Sequence, residues 1–208
     1  MGRHREFDVD QALDAALMVF WIKGYEGASY DDLSEATGVA RPGLYSAFGN
    51  KEAFFQKAVD RYEAKFTGYF GEALEEPRVR DVVRCILEGA VKAQTSSPGP
   101  RGCMIINGAM SCSDESKSVR EELIRRRDAA EAALLERFEQ ARRGGDLPQS
   151  ANCATLACYV MTVTHGIAVQ GKAGASKVIL DAMVAQVLDS WPPAPSAPAR
   201  TMSAGRGR

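Results

Sequence analysis

Apolar residues recur at three- and four-residue intervals along most of the 208-residue chain, the period of helices buried along one side. In the first run, Val9, Leu13, Ala16, Leu17, Phe20 and Trp21 form one stripe. Asp8, with Gln11 three residues on, suits a cap at its start, and Gly24 suits its end. A short second helix starts at Ser29, whose hydroxyl can cap SYDDLSEA, with Leu33 and Ala36 facing inward. Thr37-Gly38-Val39 reads as a tight turn, with Gly38 free to take positive φ. A third helix is expected from Ala40 to Phe48, and Asn50 caps a long fourth, KEAFFQKAVDRYEAKFTGYFGEAL.

Beyond Pro77 the pattern continues through VRDVVRCILEGAVKAQ, the loop SSPGPRG and CMIINGAM. A long amphipathic helix after Ser113 reaches about Arg143, with Val119, Leu123, Leu134 and Phe138 on its apolar side. After GGDLPQS come two helices with few charges, NCATLACYVMTVTHGIAVQ and ASKVILDAMVAQVLDSW. The tail PPAPSAPARTMSAGRGR has the composition of a disordered segment. No strand-like alternation or repeat is present, so the expected class is all-α.

Two short helices joined by a tight glycine turn, backed by an apolar first helix, are a helix-turn-helix signature. The order Ser29-x3-Leu33-x2-Ala36-x-Gly38-Val39-x4-Leu44-Tyr45-x2-Phe48-x2-Lys51-Glu52 resembles the DNA-binding domain of TetR/AcrR-type transcriptional regulators over about residues 7 to 60. GYEGASYDDLSEATG and PRGCMIINGAM look like one branch of that family, which includes a copper-responsive repressor. The resemblance implies a homodimeric repressor, a pseudo-palindromic double-stranded DNA operator and release by a small-molecule inducer. It also implies a helical ligand-binding and dimerisation domain after the helix-turn-helix. The expected layout is a DNA-binding domain over 1–50, a connecting long helix over 51–76, a ligand-binding and dimerisation domain over 77–191 and a disordered tail over 192–208.

A reading helix must present a sparse face to lie in a major groove. Gly43 and Ser46 are small enough for close approach, and Pro42 is tolerated in a first turn, where no hydrogen bond is lost. Arg41 is the residue of this helix able to contact guanine with two donors, and Tyr45 offers a hydroxyl to phosphate. Lys51 adds charge at the start of the fourth helix, and Ser29 offers a hydroxyl or backbone N–H. Nothing apolar in the local sequence engages the stems of Arg41 and Lys51. Arg3 and Arg5 could reach the backbone or a minor groove from an N-terminal arm.

Charge complicates this picture. Residues 1–67 hold 8 Lys and Arg against 11 Asp and Glu, net −3, where a DNA-binding domain is ordinarily basic. The third helix itself carries no acid, so a local positive face is expected on an acidic domain.

For the ligand pocket, the candidates are Met104, Asn107 and Met110 meeting Phe138, Tyr159 and His165, with Cys103, Ile106 and Met161 nearby. Leu180, Met183, Val184, Val187 and Leu188 make the candidate dimer face. The five cysteines lack CxxC spacing, which argues against a disulfide framework or a structural zinc site. Cys103, Cys112 and Cys158 leave a thiol-based metal or oxidant sensor as an alternative within the repressor class. A second alternative is a helical interaction module that has lost DNA affinity. With two histidines, His4 and His165, and no paired carboxylates or phosphate loop, no catalysis, cofactor or metal centre is expected. The N-terminus lacks a signal-peptide pattern, and no apolar run approaches the roughly 20 residues of a membrane span, so a cytoplasmic address without membrane contact is expected.

Overall fold

The structure, a computed structural model, describes residues 7–96 and 99–192. Arg3, Arg5, His4 and the tail from 193 onward lie outside the described residues. No strand forms among the described residues, and the all-α expectation is borne out.

The head is built from α1 (Val9–Gly27), α2 (Tyr30–Thr37), α3 (Arg41–Phe48) and α4 (Lys51–Tyr62). Its boundaries follow local chemistry. Asp8 accepts from the backbone N–H groups of Asp10 and Gln11, and Asn50 accepts from that of Ala53. Ser29 and Asp32 form a reciprocal capping box at the start of α2. Gly38 closes α2 at φ 68°, a conformation that a side chain would strain. Gly24 departs from the expectation: it takes non-helical angles (φ 73°, ψ 178°), yet α1 resumes for a further turn to Gly27. Ala36 also differs, standing exposed while Leu33 alone of α2 is buried.

The expected long fourth helix is a rod in three parts. After α4 the backbone widens into a π-helical turn, Glu63–Thr67, before resuming as α5 (Gly68–Leu74). Then follow α6 (Val79–Thr95), α7 (Met104–Ser111), a 3-10 turn at Asp114–Ser116, α8 (Lys117–Arg143), α9 (Cys153–Lys172) and α10 (Lys177–Asp189).

Two apolar cores hold these elements. The first is aromatic: Phe20 meets Phe54 and Phe55 edge-on at 5.7 and 5.1 Å, and Phe48 stacks on Phe54 at 4.1 Å. It takes in Met104, Cys112, Val119 and Leu123, so α7 and the start of α8 pack on the head. The second core joins α6, α8, α9 and α10 around residues such as Ile86, Leu87, Leu134, Phe138, Val160 and Leu180. By length and composition α9 could cross a membrane, although no such run stood out in the sequence. Its inner side is nevertheless occupied by protein, with Ala157, Val160, Met161 and Ile167 buried against neighbours that include α6 and α8.

Candidate nucleic-acid interface and ligand cavity

α3 turns an exposed face outward carrying Arg41, Pro42, Tyr45 and Ser46, while Leu44 and Phe48 anchor the opposite side at 0% and 2% exposure. The helix opens on Ala40 without a side-chain cap. Pro42 falls in the first turn, where its missing N–H leaves no helical acceptor unfilled. Gly43 serves a packing purpose besides the one expected of it. A Cβ there would stand 2.8 Å from Val39 Cγ1 and 3.7 Å from Phe7 Cε1, so its smallness serves internal packing.

Arg41 is held by aromatic neighbours. Its guanidinium lies 4.5 Å from the centroid of the Tyr30 ring and 5.6 Å from that of Tyr45. These two rings stack on each other at 4.7 Å, and Arg41 Nη2 donates to the Tyr45 hydroxyl at 3.4 Å. The Arg41–Tyr45 half follows from i,i+4 spacing; Tyr30 arrives from α2 and has no local signal. The stack pre-orders a long side chain, which lowers the entropy lost when its donors engage a base.

Lys51 also has an aromatic neighbour that the sequence reading lacked. Its Nζ stands 4.8 Å over the Tyr25 ring and 3.5 Å from the Glu26 carbonyl oxygen, and burial pushes its pKa down. Ser29 spends its backbone N–H on Asp32 Oδ2 at 2.9 Å, while its hydroxyl oxygen accepts from Asp32 N–H. Only the hydroxyl proton is left for an outside acceptor.

Ion pairs explain where much of the head's charge goes. Asp14 binds Arg61 at 2.8 Å and Lys65 at 2.6 Å, and Asp32 binds Lys23 at 2.6 Å. These pairs cancel acids on α1 and α2 against bases on α1, α4 and the π turn. Arg41 stands outside them.

A cavity of about 400 Å³ opens between the π turn, α5, α6, α8 and α9. Its walls include Tyr62, Phe66, Tyr69 and Phe70 from the rod and His165 from α9. Of the six pocket candidates from the sequence, His165 alone lines it. Met104 is buried at the head boundary, and with Asn107 and Met110 it borders a separate cavity of about 290 Å³ beside α1. Phe138 packs edge-on against Trp191 in the second core, and Tyr159 stands 41% exposed on α9. Cys103, Ile106 and Met161, expected nearby, do line the cavity. The sequence reading missed the rod residues because a helix that backs the head on one turn lines a cavity on the next.

Two connections join the cavity wall to the head. Arg126 of α8, itself a wall residue, binds Asp60 of α4 at 2.7 Å, Glu63 of the π turn at 2.5 Å and Glu122 at 2.7 Å. Trp21 of α1 stands edge-on to Tyr62 and Phe66, both at 4.8 Å, and its Nε1–H donates to the Gly102 carbonyl at 3.1 Å. The Gly102 N–H in turn donates to Gln94 Oε1 at 2.7 Å, which explains why glutamine is tolerated at 6% exposure.

The candidate dimer residues face inward. Leu180, Val184 and Val187 are 1%, 4% and 6% exposed within the chain's own core, with Met183 and Leu188 packed against it. The outward side of α10 carries Val178 at 76% and Ile179 at 63% exposure, and on α9 Tyr159 and Val169 are also exposed.

Comparison with known proteins agrees with this architecture. Residues 12–58 match the model for bacterial regulatory proteins of the tetR family, and residues 77–187 match the tetracyclin repressor-like C-terminal domain. The HTH-type transcriptional repressor ComR of Escherichia coli (strain K12) is 33% identical over 193 residues, 92% of each chain. The repressor BdcR of the same organism is 28% identical over 176 residues, 84% of each. A cysteine mutant of the TetR family transcriptional regulator CifR, complexed with 26-bp operator DNA, superposes with a TM-score of 0.87. It is 36% identical, and the match covers 92% of this chain and all of that one.

Proposed function

Since the chain belongs to the tetR family of bacterial regulatory proteins, we propose that it represses transcription as a homodimer on a pseudo-palindromic operator and is released by a small molecule. The observation that carries the reading is the exposed face of α3, where Arg41 is held ready on Tyr30 by a scaffold matching an operator-bound regulator along nearly its full length. In this reading α3 enters a major groove, Arg41 reads a base edge, and Tyr45, Lys51 and the Ser29 hydroxyl meet phosphates. A regulator of chromosomal operators works in the cytoplasm, and that address is proposed with it.

Fluorescence anisotropy of labelled DNA from upstream of the protein's own gene tests this. Affinity should fall with salt at a slope of about −0.9 per phosphate contact, and unrelated DNA should bind far more weakly. No binding at any salt would support instead an interaction module of the same fold.

Dimerisation is proposed through the outward sides of α9 and α10, both of which pack inwardly on α6. Val178, Ile179, Tyr159 and Val169 form the apolar part of that face. The double change Val178→Glu and Ile179→Glu should give monomers in sedimentation velocity while leaving the helical circular dichroism unchanged. A variant that remains dimeric would place the interface elsewhere.

The inducer is proposed to occupy the cavity bounded by the π turn. A single-turn widening of this kind often marks a functional position, and here it joins the reading head's α4 to the cavity wall. Displacing Glu63, Tyr62 or Phe66 would act on α4 through Arg126 and on α1 through Trp21, biasing the spacing of two heads by about 1–3 kcal/mol. The thiol-sensor alternative gains little support at Cys103 and Cys112. Burial pushes the Cys103 and Cys112 thiols up, away from the thiolate that metal or oxidant chemistry uses. Among the described residues, no group of three or more His, Cys, Asp and Glu is placed to hold a metal.

A further inference from the structure

The chemistry of the cavity wall narrows the class of molecule that fits it. Four aromatic rings, those of Tyr62, Phe66, Tyr69 and Phe70, offer flat apolar surface. The charges on the wall already have partners. Arg126 is engaged by three carboxylates, so an arriving anion would compete with Glu63, Asp60 and Glu122 for one guanidinium. Arg127, nearest in its influence to His165, is paired with Asp128 at 2.9 Å and opposes a cation at that end. Two polar groups are different. Neither the His165 ring nor the Tyr69 hydroxyl has a hydrogen-bond partner among the described residues, and both line the cavity. Burial holds the His165 pKa below its usual value, with Arg127 adding to the effect, so its ring is neutral near pH 7 and can donate or accept. The Tyr69 ring is fixed in turn by the bare Cα of Gly89, where any Cβ would collide with it.

We propose that the cavity takes an uncharged, largely aromatic molecule carrying one hydroxyl or carbonyl group that hydrogen-bonds to His165. This deepens the reading of the cavity as the inducer site and rests on it for its regulatory meaning. The binding chemistry itself stands apart from DNA.

Isothermal titration calorimetry on the full-length, DNA-free protein compares three probes of one shape at pH 7.5: 2-naphthol, 2-naphthoate and 2-(aminomethyl)naphthalene. One 2-naphthol per protomer is expected, at least about tenfold tighter than either charged probe, since a charge would meet an aromatic wall whose own charged groups are already paired. His165→Phe, which keeps the volume and removes the hydrogen bond, should weaken 2-naphthol by about 2- to 12-fold, the equivalent of 0.5–1.5 kcal/mol. Thr164→Leu, which narrows the same wall, checks the location should the first variant fold poorly, and should also weaken binding. Tighter binding of 2-naphthoate, tighter binding of the amine, equal binding of all three, or no binding would each overturn the proposal. Operator anisotropy run in parallel separates the two readings. Charge selectivity without any operator binding sinks the repressor and leaves the ligand class standing; operator binding with no probe selectivity does the reverse.

Discussion

Replacing Trp21 with alanine is expected to remove about 3–5 kcal/mol of folding stability, the range for deleting a buried indole from a packed site. The side chain is 6% exposed and lies edge-on to Tyr62 and Phe66, so its loss leaves a hole where α1 meets the rod and the π turn. It also leaves the Gly102 carbonyl without its donor. Urea unfolding followed by circular dichroism measures the loss; a change below about 1 kcal/mol would show that the head and the cavity wall do not depend on this contact. Trp21→Phe separates the two contributions. It keeps most of the ring contact and removes the hydrogen bond, for which about 1–3 kcal/mol is expected from an acceptor left buried and unpaired. Because Gly102 also binds Gln94 on the cavity wall, this milder variant is the one to combine with ligand titrations. It should fold, bind DNA and respond less to an occupied cavity.

The second large effect concerns recognition. Arg41→Ala is expected to weaken operator binding by about 1–3 kcal/mol, roughly 5- to 150-fold, and to relax preference at one base pair. The fold should be unaffected, since Arg41 is exposed and its stack on Tyr30 covers little core surface. Arg41→Lys retains the charge but cannot lie flat on Tyr30 or present a two-donor fork, so it should recover the salt dependence and not the base preference. Tyr30→Leu tests the pre-ordering separately: it touches no DNA in the proposed pose, yet it should weaken binding in proportion to the freedom returned to Arg41. Competition binding against operators altered one base pair at a time distinguishes these outcomes. If Arg41→Ala weakens every sequence equally, Arg41 contacts phosphate and base reading must come from elsewhere on α3.

The head was readable because its determinants are short-range. Asp8, Ser29 and Asn50 each cap a helix through groups two or three residues away, and Gly38 takes a turn that its missing Cβ permits. Spacing alone also put Arg41 and Tyr45 on one face. Sequence reading fell short where one residue serves two purposes or its neighbour comes from another helix. Gly43 has the small size that suits a groove, and it also makes room for Val39 Cγ1, one turn back. Lys51 looked free because Tyr25, its neighbour in space, lies on a different helix.

The C-terminal half shows the same division more sharply. The apolar periods of α9 and α10 revealed helices, but both helices are apolar on more than one side. Periodicity cannot say which side meets the chain's own core, and the five residues first assigned to a partner instead pack around α6, α8 and α9. The cavity was harder still, since it exists only where elements separated by up to about a hundred residues leave a gap. Local sequence carried the all-α class, the capped helix starts at Asp8, Ser29 and Asn50, and the helix-turn-helix, because caps, turns and period are written within a few residues. Packing settled which faces are core and which are free, that Arg41 rests on Tyr30, and that the rod widens into a π turn beside an aromatic cavity. Those depend on contacts between distant segments, and no local pattern encodes them.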